Sequence, residues 1–362
     1  MRLTTYRFRL KDSSCRNRLR KLGFSVNDIW NYVNERNAYQ WSFRRKLLSA
    51  FDLHKLTSGV GKELGLHSQT VQAVADEYCK CGKQFKRPKL NWRSRKHSLG
   101  WIPFKSVGVK VVADTVTYGG QTYRFWNSRP LPGNVRFGSF CEDAQGNWHV
   151  NFVCEDLTTK RTPTGKEAGI NLGLKITGML SDGVKLNREN LIRKLALKLS
   201  IAKRARKKKQ ISRIHVKIKN KRKDWNHKQT TRLTNEYDVL VIGNERPCEI
   251  VKTKMVKSGS DVGWADFKTM LSYKAIRLGI IYLEINECFS TITCSSCKAR
   301  TGPKGIGGLG VRSWLCSECG TLHQYDINTA QNILTSFRLE HQTLLKESLQ
   351  LKPGEDVKCY ST

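Results

Sequence analysis

The hydrophobic period changes twice along the first half of the chain. Residues 1–10 alternate apolar and polar side chains, which predicts a β-strand with one basic face. Between 17 and 95 the apolar spacing becomes helical, with Ser68 as a residue that can cap a helix. Short Val, Tyr, Phe and Trp runs separated by turns then predict strands across 101–154. This order predicts a small β-barrel interrupted by a helical domain.

In the second half, strand and helix patterns alternate. Residues 158–166 are polar and contain Pro and Gly, which predicts a domain boundary. A tail without periodicity follows residue 345. Between these limits the pattern predicts two strands in 167–183, a basic helical stretch at 188–227, a strand at 238–244, a helix at 261–279, a strand at 280–286 and a last helix from about Asp326.

The net charge of the chain indicates which class of partner the protein binds. The 362 residues include 65 Lys and Arg against 30 Asp and Glu, for a formal net charge of +35. Such an excess indicates a polyanionic partner, either nucleic acid or an anionic membrane surface. The sequence contains no apolar run long enough to span a bilayer and no signal-peptide pattern, so we expect a cytoplasmic protein that binds nucleic acid and no membrane.

The densest positive charge lies in the basic helical stretch. An apolar stripe that includes Leu195, Leu199 and Ile214 runs along it. A solvated helix face is one interpretation, but like charges without acidic partners repel each other, which favours phosphate contact. The predicted RNA- or DNA-binding residues are Lys203, Arg204, Arg206, Lys207, Lys208, Lys209, Arg213, Lys217, Lys219, Lys221 and Arg222.

Several aromatic residues of the first half have two possible roles. Most such residues pack in a core, but one or two can act as stacking platforms for bases. The sequence does not distinguish the two roles for Trp30, Tyr32, Tyr39, Trp41, Trp92, Trp101 and Trp126.

Four of the twelve cysteines form two CxxC pairs. Cys294 and Cys297 are followed, after 18 residues, by Cys316 and Cys319. Four thiolates from paired CxxC turns complete a closed tetrahedral Zn²⁺ site, so we predict structural zinc rather than a disulfide or free thiols. The remaining eight cysteines, including the CxC at 79–81, are expected to be packing or surface thiols.

The ordered motifs resemble the TnpB family, the insertion-sequence proteins that use a guide RNA to find and cut DNA with a RuvC-like nuclease. The matching segments are GINLGLK, the basic helical hairpin, DVLVIGN, KTKMVKSGSDVGWADFKTML, the two CxxC pairs and YDINTAQNIL. The resemblance covers essentially the whole chain and implies an α/β multidomain fold. The domains it implies are a wedge β-barrel at 1–11 and 96–157, a helical recognition domain at 12–95, an RNase H-like (RuvC) core at 158–290 and 324–345, a zinc ribbon at 291–323 and a tail at 346–362.

The catalytic acids of the family do not all carry over. The first falls on Asn171, where the family usually reads GIDLG, and the second falls on Gly243 or, in another alignment, Asn244. Asp326 retains the third. A two-metal nuclease needs these carboxylates to hold its ions. Since two of three positions are neutral, we expect Mg²⁺ to bind weakly or not at all.

Three other acids are alternatives that could compensate for the losses. Glu245 is the acid nearest to the second position in the sequence. Asp182 and Asp238 lie at the ends of predicted strands and look less well placed. If one of them compensates, the protein is an active RNA-guided endonuclease with a rearranged acid set.

The resemblance and the lost acids together predict a nuclease-dead, RNA-guided DNA-binding protein that represses transcription by occupying its target. Its expected partners are a guide RNA and double-stranded target DNA, and we expect a monomer at the bacterial nucleoid. A zinc-ribbon RNA-binding protein without a DNA target is a third possibility. By position in the family pattern, the residues that read the DNA motif are Ser68, Gln69, Thr70 and Gln72, with a plain helix cap as the alternative.

Overall fold

The computed structural model describes residues 2–12, 14–131, 133–156, 161–173, 176–187, 191–244, 263–304, 308 and 310–340. Glu245 and the tail at 346–362, both named above, lie outside these residues. The chain divides into two units, Met1–Leu157 and Thr158–Thr362.

Seven strands of the first unit form two antiparallel sheets, of order β1-β7-β6-β2 and β3-β4-β5. The end of β1 reaches the second sheet through a bridge between Leu10 and Phe125. Five phenylalanine rings, with centroids 5–6 Å apart between neighbours, fill the core behind the larger sheet. The strands are β1 (Arg2–Arg9), β2 (Trp101–Lys105), β3 (Val109–Val112), β4 (Thr115–Tyr118), β5 (Gln121–Arg124), β6 (Val135–Glu142) and β7 (Trp148–Asp156).

Four helices separate β1 from β2, as the change of period predicts. They are α1 (Arg16–Arg44), α2 (Ala50–Leu56), α3 (Val60–Glu63) and α4 (Ser68–Phe85). The cap predicted at Ser68 is wrong by one residue. His67 is the N-cap of α4, and its Nδ1 accepts a hydrogen bond from the Gln69 amide. Histidine is a rare cap, which is why the sequence pattern favours the serine that follows it.

A row of asparagines on α1 holds the loop that leads to β2. The amides of Asn31 and Asn34 each exchange two hydrogen bonds with the loop backbone, at Arg93 and Leu90 respectively. The Asn27 side chain accepts a 2.7 Å bond from the Arg93 guanidinium. An asparagine can donate and accept at once, so each one satisfies both backbone groups of an extended residue. The WNYVNERN segment is therefore a structural clamp within this unit.

The central sheet of the second unit has the order β10-β9-β8-β11-β12. Strands β8, β9 and β10 form an antiparallel meander, whereas β11 runs parallel to both β8 and β12. All five residues of β11 are buried, as a central parallel strand requires. The strands are β8 (Glu167–Leu172), β9 (Gly178–Leu180), β10 (Lys185–Leu186), β11 (Val239–Gly243), β12 (Ile281–Ile285) and the small antiparallel pair β13 (Ser313–Leu315) and β14 (Leu322–Gln324).

The basic stretch forms two helices, which agrees with the helical hairpin expected from the sequence. These are α5 (Leu191–Arg204) and α6 (Lys208–Glu236); α7 (Trp264–Leu278) and α8 (Tyr325–Glu340) follow. Arg206 takes a left-handed conformation with φ of 50° in the turn between α5 and α6. The predicted apolar stripe is confirmed, because Leu195, Leu199 and Ile214 pack where the two helices meet. Thus the run 203–209 contains the tip of a hairpin.

Helix α8 packs directly on the backbone of β8. A side chain at Gly169 would collide with the Ala330 carbonyl and stand 3.0 Å from the Leu334 amide nitrogen. Ile333, Leu334 and Phe337 then cover the buried residues of β11 from the same side. Only glycine permits this approach, which brings the first turn of α8 over the carboxyl ends of the strands.

Gly169→Ala should lower the melting temperature by several degrees, since overpacking a close contact costs about 1–3 kcal/mol. Calorimetry of the purified variant measures the change. The matched control is Gly310→Ala, where the added methyl meets nothing within 4 Å. Equal melting temperatures for Gly169→Ala and the control would contradict the close packing of α8 on β8.

Candidate functional site

Sheet register brings the three family positions to one place. Ile170 pairs with Ile242, so Asn171 and Gly243 stand side by side, one residue further along β8 and β11. Parallel neighbours in register project to the same face of a sheet, and this is the face covered by α8. Asp326 lies in the first turn of α8. Asn171, Gly243 and Asp326 therefore lie together at the carboxyl edge of the sheet.

Two neighbours place donor groups near the Asp326 carboxylate. The Asn171 Nδ2 group donates a hydrogen bond of 3.5 Å to Asp326 Oδ1. Arg312 places its guanidinium 3.6 Å from Asp326 Oδ2. An aspartate at 171 would face Asp326 as a second negative charge and would call for a cation between them. The amide instead makes a direct contact with Asp326, and Arg312 already supplies positive charge.

The space above Gly243 holds a carboxylate that the sequence did not reveal. A Cβ at Gly243 would overlap Oε2 of Glu287, and Glu287 Oε1 lies 2.8 Å from the same point. Glu287 comes two residues after β12, the strand that pairs with β11. Its position corrects the prediction that the second acid position lacks a carboxylate. An acid just beyond the neighbouring parallel strand was the only available signal, and it cannot be recognised without the strand order.

The other acids proposed to compensate have structural partners elsewhere. Asp182 accepts a 2.6 Å hydrogen bond from the Tyr237 hydroxyl, which raises the pKa of that tyrosine together with burial. Asp238 directly precedes β11, at the opposite end of the strand from Gly243. Its carboxylate pairs with Arg161 at 2.6 Å. Neither carboxylate lies at the carboxyl ends of β8 and β11. Asn244, the alternative second position, is exposed just beyond β11.

The four predicted zinc ligands converge. Their sulfur atoms all lie within 4.8 Å of one another, and the Cys294–Cys319 and Cys297–Cys316 separations are both 3.6 Å. Four sulfurs bound to one Zn²⁺ at about 2.3 Å stand about 3.8 Å apart, so the cluster fits this ion. Zinc held by four protein ligands has no open position, and its role would be to fold the ribbon.

Hydroxyl groups beside two of the four cysteines favour their thiolate forms. The Thr301 hydroxyl, 3.1 Å from the Cys316 sulfur, lowers the pKa of that thiol to about 6. Thr321 likewise lowers the pKa of Cys319. His323, which the sequence analysis missed, lies 3.0 Å from the Cys294 sulfur through Nε2. Burial lowers the pKa of His323, so the neutral ring can donate to that sulfur and orient it.

The basic residues predicted to bind nucleic acid fall into two groups. Lys221 and Arg222 are half-buried on α6. The other nine are exposed, and none forms an ion pair with a described residue; they are Lys203, Arg204, Arg206, Lys207, Lys208, Lys209, Arg213, Lys217 and Lys219. We call these nine residues the basic hairpin. No helix of the described ranges is long and apolar enough to cross a membrane.

The residues predicted to read a DNA motif do not form one surface. Thr70 is fully buried, and its hydroxyl lies 2.7 Å from the Tyr118 hydroxyl, so its assignment as a motif reader is wrong. The Gln69 Oε1 atom is also buried. Ser68 and Gln72 are exposed on α4, and their role in reading DNA stays a prediction.

Comparison with known proteins agrees with the fold and the ribbon. Residues 264–333 match the family model described as Cas12f1-like, TNB domain. The fold resembles Cas12f1 in the structure of its complex with sgRNA and target DNA, with a TM-score of 0.58 and 12% identity over 89% of this chain and 83% of that one.

Two curated relatives carry names that describe them as candidate RNA-guided DNA endonucleases. A protein from Streptomyces pristinaespiralis is 32% identical over 225 residues, which cover 58% of this chain and 55% of the relative. InsQ from Escherichia coli K12 is 25% identical over 242 residues, or 59% of each chain. The chain thus spans little more than half the length of these relatives.

Fold, ribbon and relatives define the class of this protein, which is a mixed α/β multidomain protein similar to Cas12f1. Within that class, the matched TNB domain and the curated relatives support the TnpB family for this chain.

Cys316→Ser should reduce bound zinc from about one ion per chain to almost none, since three thiolates hold the ion far less tightly than four. Elemental analysis of the purified protein measures the content. Cys288→Ser is the matched control, because Cys288 is exposed and outside the cluster. A zinc content unchanged by Cys316→Ser would contradict the four-cysteine site.

Proposed function

We propose that this protein binds a guide RNA, pairs it with complementary double-stranded DNA, and holds the DNA target without cutting it. Occupancy of a promoter would then repress transcription. The single observation that carries the proposal is the contact of the Asn171 amide with Asp326, at the place where an RNase H-like nuclease needs two carboxylates. The relatives' names and the exposed basic hairpin support the nucleic-acid partners.

The charge missing at Asn171 matters quantitatively. One unit charge about 4 Å from another contributes roughly 4 kcal/mol at an effective dielectric near 20. Expressed in the transition state, that is about a thousandfold in rate. Arg312 adds a second effect, because its guanidinium lies where it competes with a metal ion for Asp326.

An active RNA-guided DNA endonuclease is the second candidate function, and Glu287 is the observation that favours it. Its carboxylate lies where the Cβ atom of an acid at position 243 would stand. Two carboxylates, Glu287 and Asp326, then stand at the site with one amide. Under this alternative, the amide oxygen of Asn171 would have to replace a charged ligand.

Plasmid cleavage by the purified protein–RNA complex with Mg²⁺ distinguishes the two functions. We expect binding of a plasmid that matches the copurified RNA, but no cleavage above the background of Asp326→Ala. Robust cutting that disappears in Asp326→Ala would overturn the proposal and establish the endonuclease.

Asn171→Asp should restore divalent-metal binding and measurable cleavage, because it returns the only charge still missing once Glu287 is counted. Calorimetric titration with Mn²⁺ and plasmid cleavage measure the two effects. The control is Asn171→Asp combined with Glu287→Gln, which should lose both. If Asn171→Asp behaves the same with and without Glu287, the Glu287 carboxylate takes no part in metal binding.

Replacing Lys207, Lys208 and Lys209 by Gln should weaken binding of the copurified RNA and lower its logarithmic salt slope by about 2, since each lost phosphate contact removes about 0.7–0.9. Filter binding across a range of salt concentrations measures the slope. The matched control replaces three exposed lysines of the first unit, Lys62, Lys83 and Lys89. Equal slopes for the two triple variants would show that the basic hairpin contributes only general charge.

A further inference from the structure

A cavity of about 320 Å³ lies at the end of β1 in the first unit. Ligand sites in proteins have volumes of about 300 Å³ and above, so this cavity is a small one. Its size suits one small ligand or one monomer of a polymer. The lining residues are Arg9, Leu10, Lys11, Asp12, Arg16, Trp126, Asn147 and Trp148.

Two arginines meet in this cavity without a compensating acid. The guanidinium groups of Arg9 and Arg16 donate to the same atom, Asn147 Oδ1, at 2.9 and 3.3 Å. The Asn147 Nδ2 group is held by Asp143 at 3.2 Å, which orients Oδ1 toward the arginines. Neither arginine forms an ion pair with a residue that the structure describes. Two cations that share one neutral oxygen form a site for an anion with several acceptor oxygens, such as a phosphate.

The acid and the lysine of the cavity are already neutralised. Asp12 pairs with Arg124 at 3.0 Å, and Lys11 pairs with Asp114 at 2.6 Å. The net charge left in the cavity is therefore that of Arg9 and Arg16. The preference of this cavity for an anion therefore comes from these two side chains and not from the high net charge of the whole chain.

An indole ring completes the cavity. The side chain of Trp126 is 62% exposed, although Trp is among the side chains that gain most from burial. Its backbone amide donates to the Arg9 carbonyl at 2.9 Å, which fixes the Trp126 backbone beside that of Arg9. The Lys11 ammonium lies 5.2 Å from the ring centre. The buried indole nitrogen of Trp148, in the same lining, has no hydrogen-bond partner among the described residues.

We propose that this cavity binds one unpaired nucleotide of a single strand, with the base stacked on Trp126 and the phosphate held by Arg9 and Arg16. A nucleotide is the ligand class that combines an aromatic face with an adjacent phosphate, and the cavity presents a partner for each. The inference rests on the proposed function, since it needs a bound nucleic acid. The guide RNA and the displaced DNA strand offer the same chemistry.

Photo-crosslinking tests the contact directly. The full-length protein is irradiated with 8-nucleotide strands that contain 5-bromouridine or 5-bromodeoxyuridine, and crosslinked peptides are identified by mass spectrometry. We expect a crosslink to Trp126, and the strand that gives it identifies RNA or DNA as the source. Crosslinks confined to another exposed indole, such as Trp92, which is 53% exposed, would overturn the proposal.

An affinity series separates stacking from charge. Trp126→Ala should weaken binding of the 8-nucleotide strand about 5- to 100-fold, whereas Trp92→Ala should leave it unchanged. Arg9→Gln with Arg16→Gln should weaken it more than the matched loss of two exposed charges, Arg87→Gln with Lys89→Gln. Equal effects within either pair would refute the nucleotide site, whether or not the protein copurifies with RNA. Absence of copurified RNA would instead count against the proposed function.

Discussion

The close packing of α8 on the β8 backbone is the constraint on which the second unit depends. Gly169 permits it, and the same helix then carries Asp326 at its start and the buried side chains that cover β11 further on. Helix α8 also anchors the ribbon. Asn328 accepts from the Ser295 amide at 2.8 Å and donates to the Thr293 carbonyl, so the first CxxC turn is bonded to the helix that holds the candidate site. The central sheet, the candidate site and the ribbon are therefore all attached to α8.

The structure changes what the lost acids mean. In the sequence, neutral residues at Asn171 and Gly243 look like two independent losses. In the structure, Glu287 fills the space that a side chain at Gly243 would need, so that glycine makes room for a carboxylate from the next strand. Under the proposed function, the site is then one charge short rather than two. This difference moves the functional question onto Asn171, where an amide and a carboxylate have nearly the same shape but differ by one charge.

The sequence predicts what depends on local pattern and misses what depends on register. The strands β1, β8, β11 and β12 and the apolar stripe of the hairpin follow from periodicity, and the four cysteines from spacing. The His67 cap and the burial of Thr70 do not, because each depends on a specific contact. Glu287 is the sharpest case, since it lies 44 positions after Gly243 in the sequence and only the pairing of β11 with β12 brings them together.

A site that gives up one acid also gains stability in the metal-free protein. Three carboxylates at one strand edge repel each other unless a cation neutralises them, and natural proteins maintain such strained sites only where activity requires them. With Asn171, the Asp326 carboxylate has a hydrogen-bond donor on one oxygen and Arg312 near the other. Under the proposed function, the Asn171–Asp326 contact would join β8 to α8 while the chain keeps its nucleic-acid-binding surfaces.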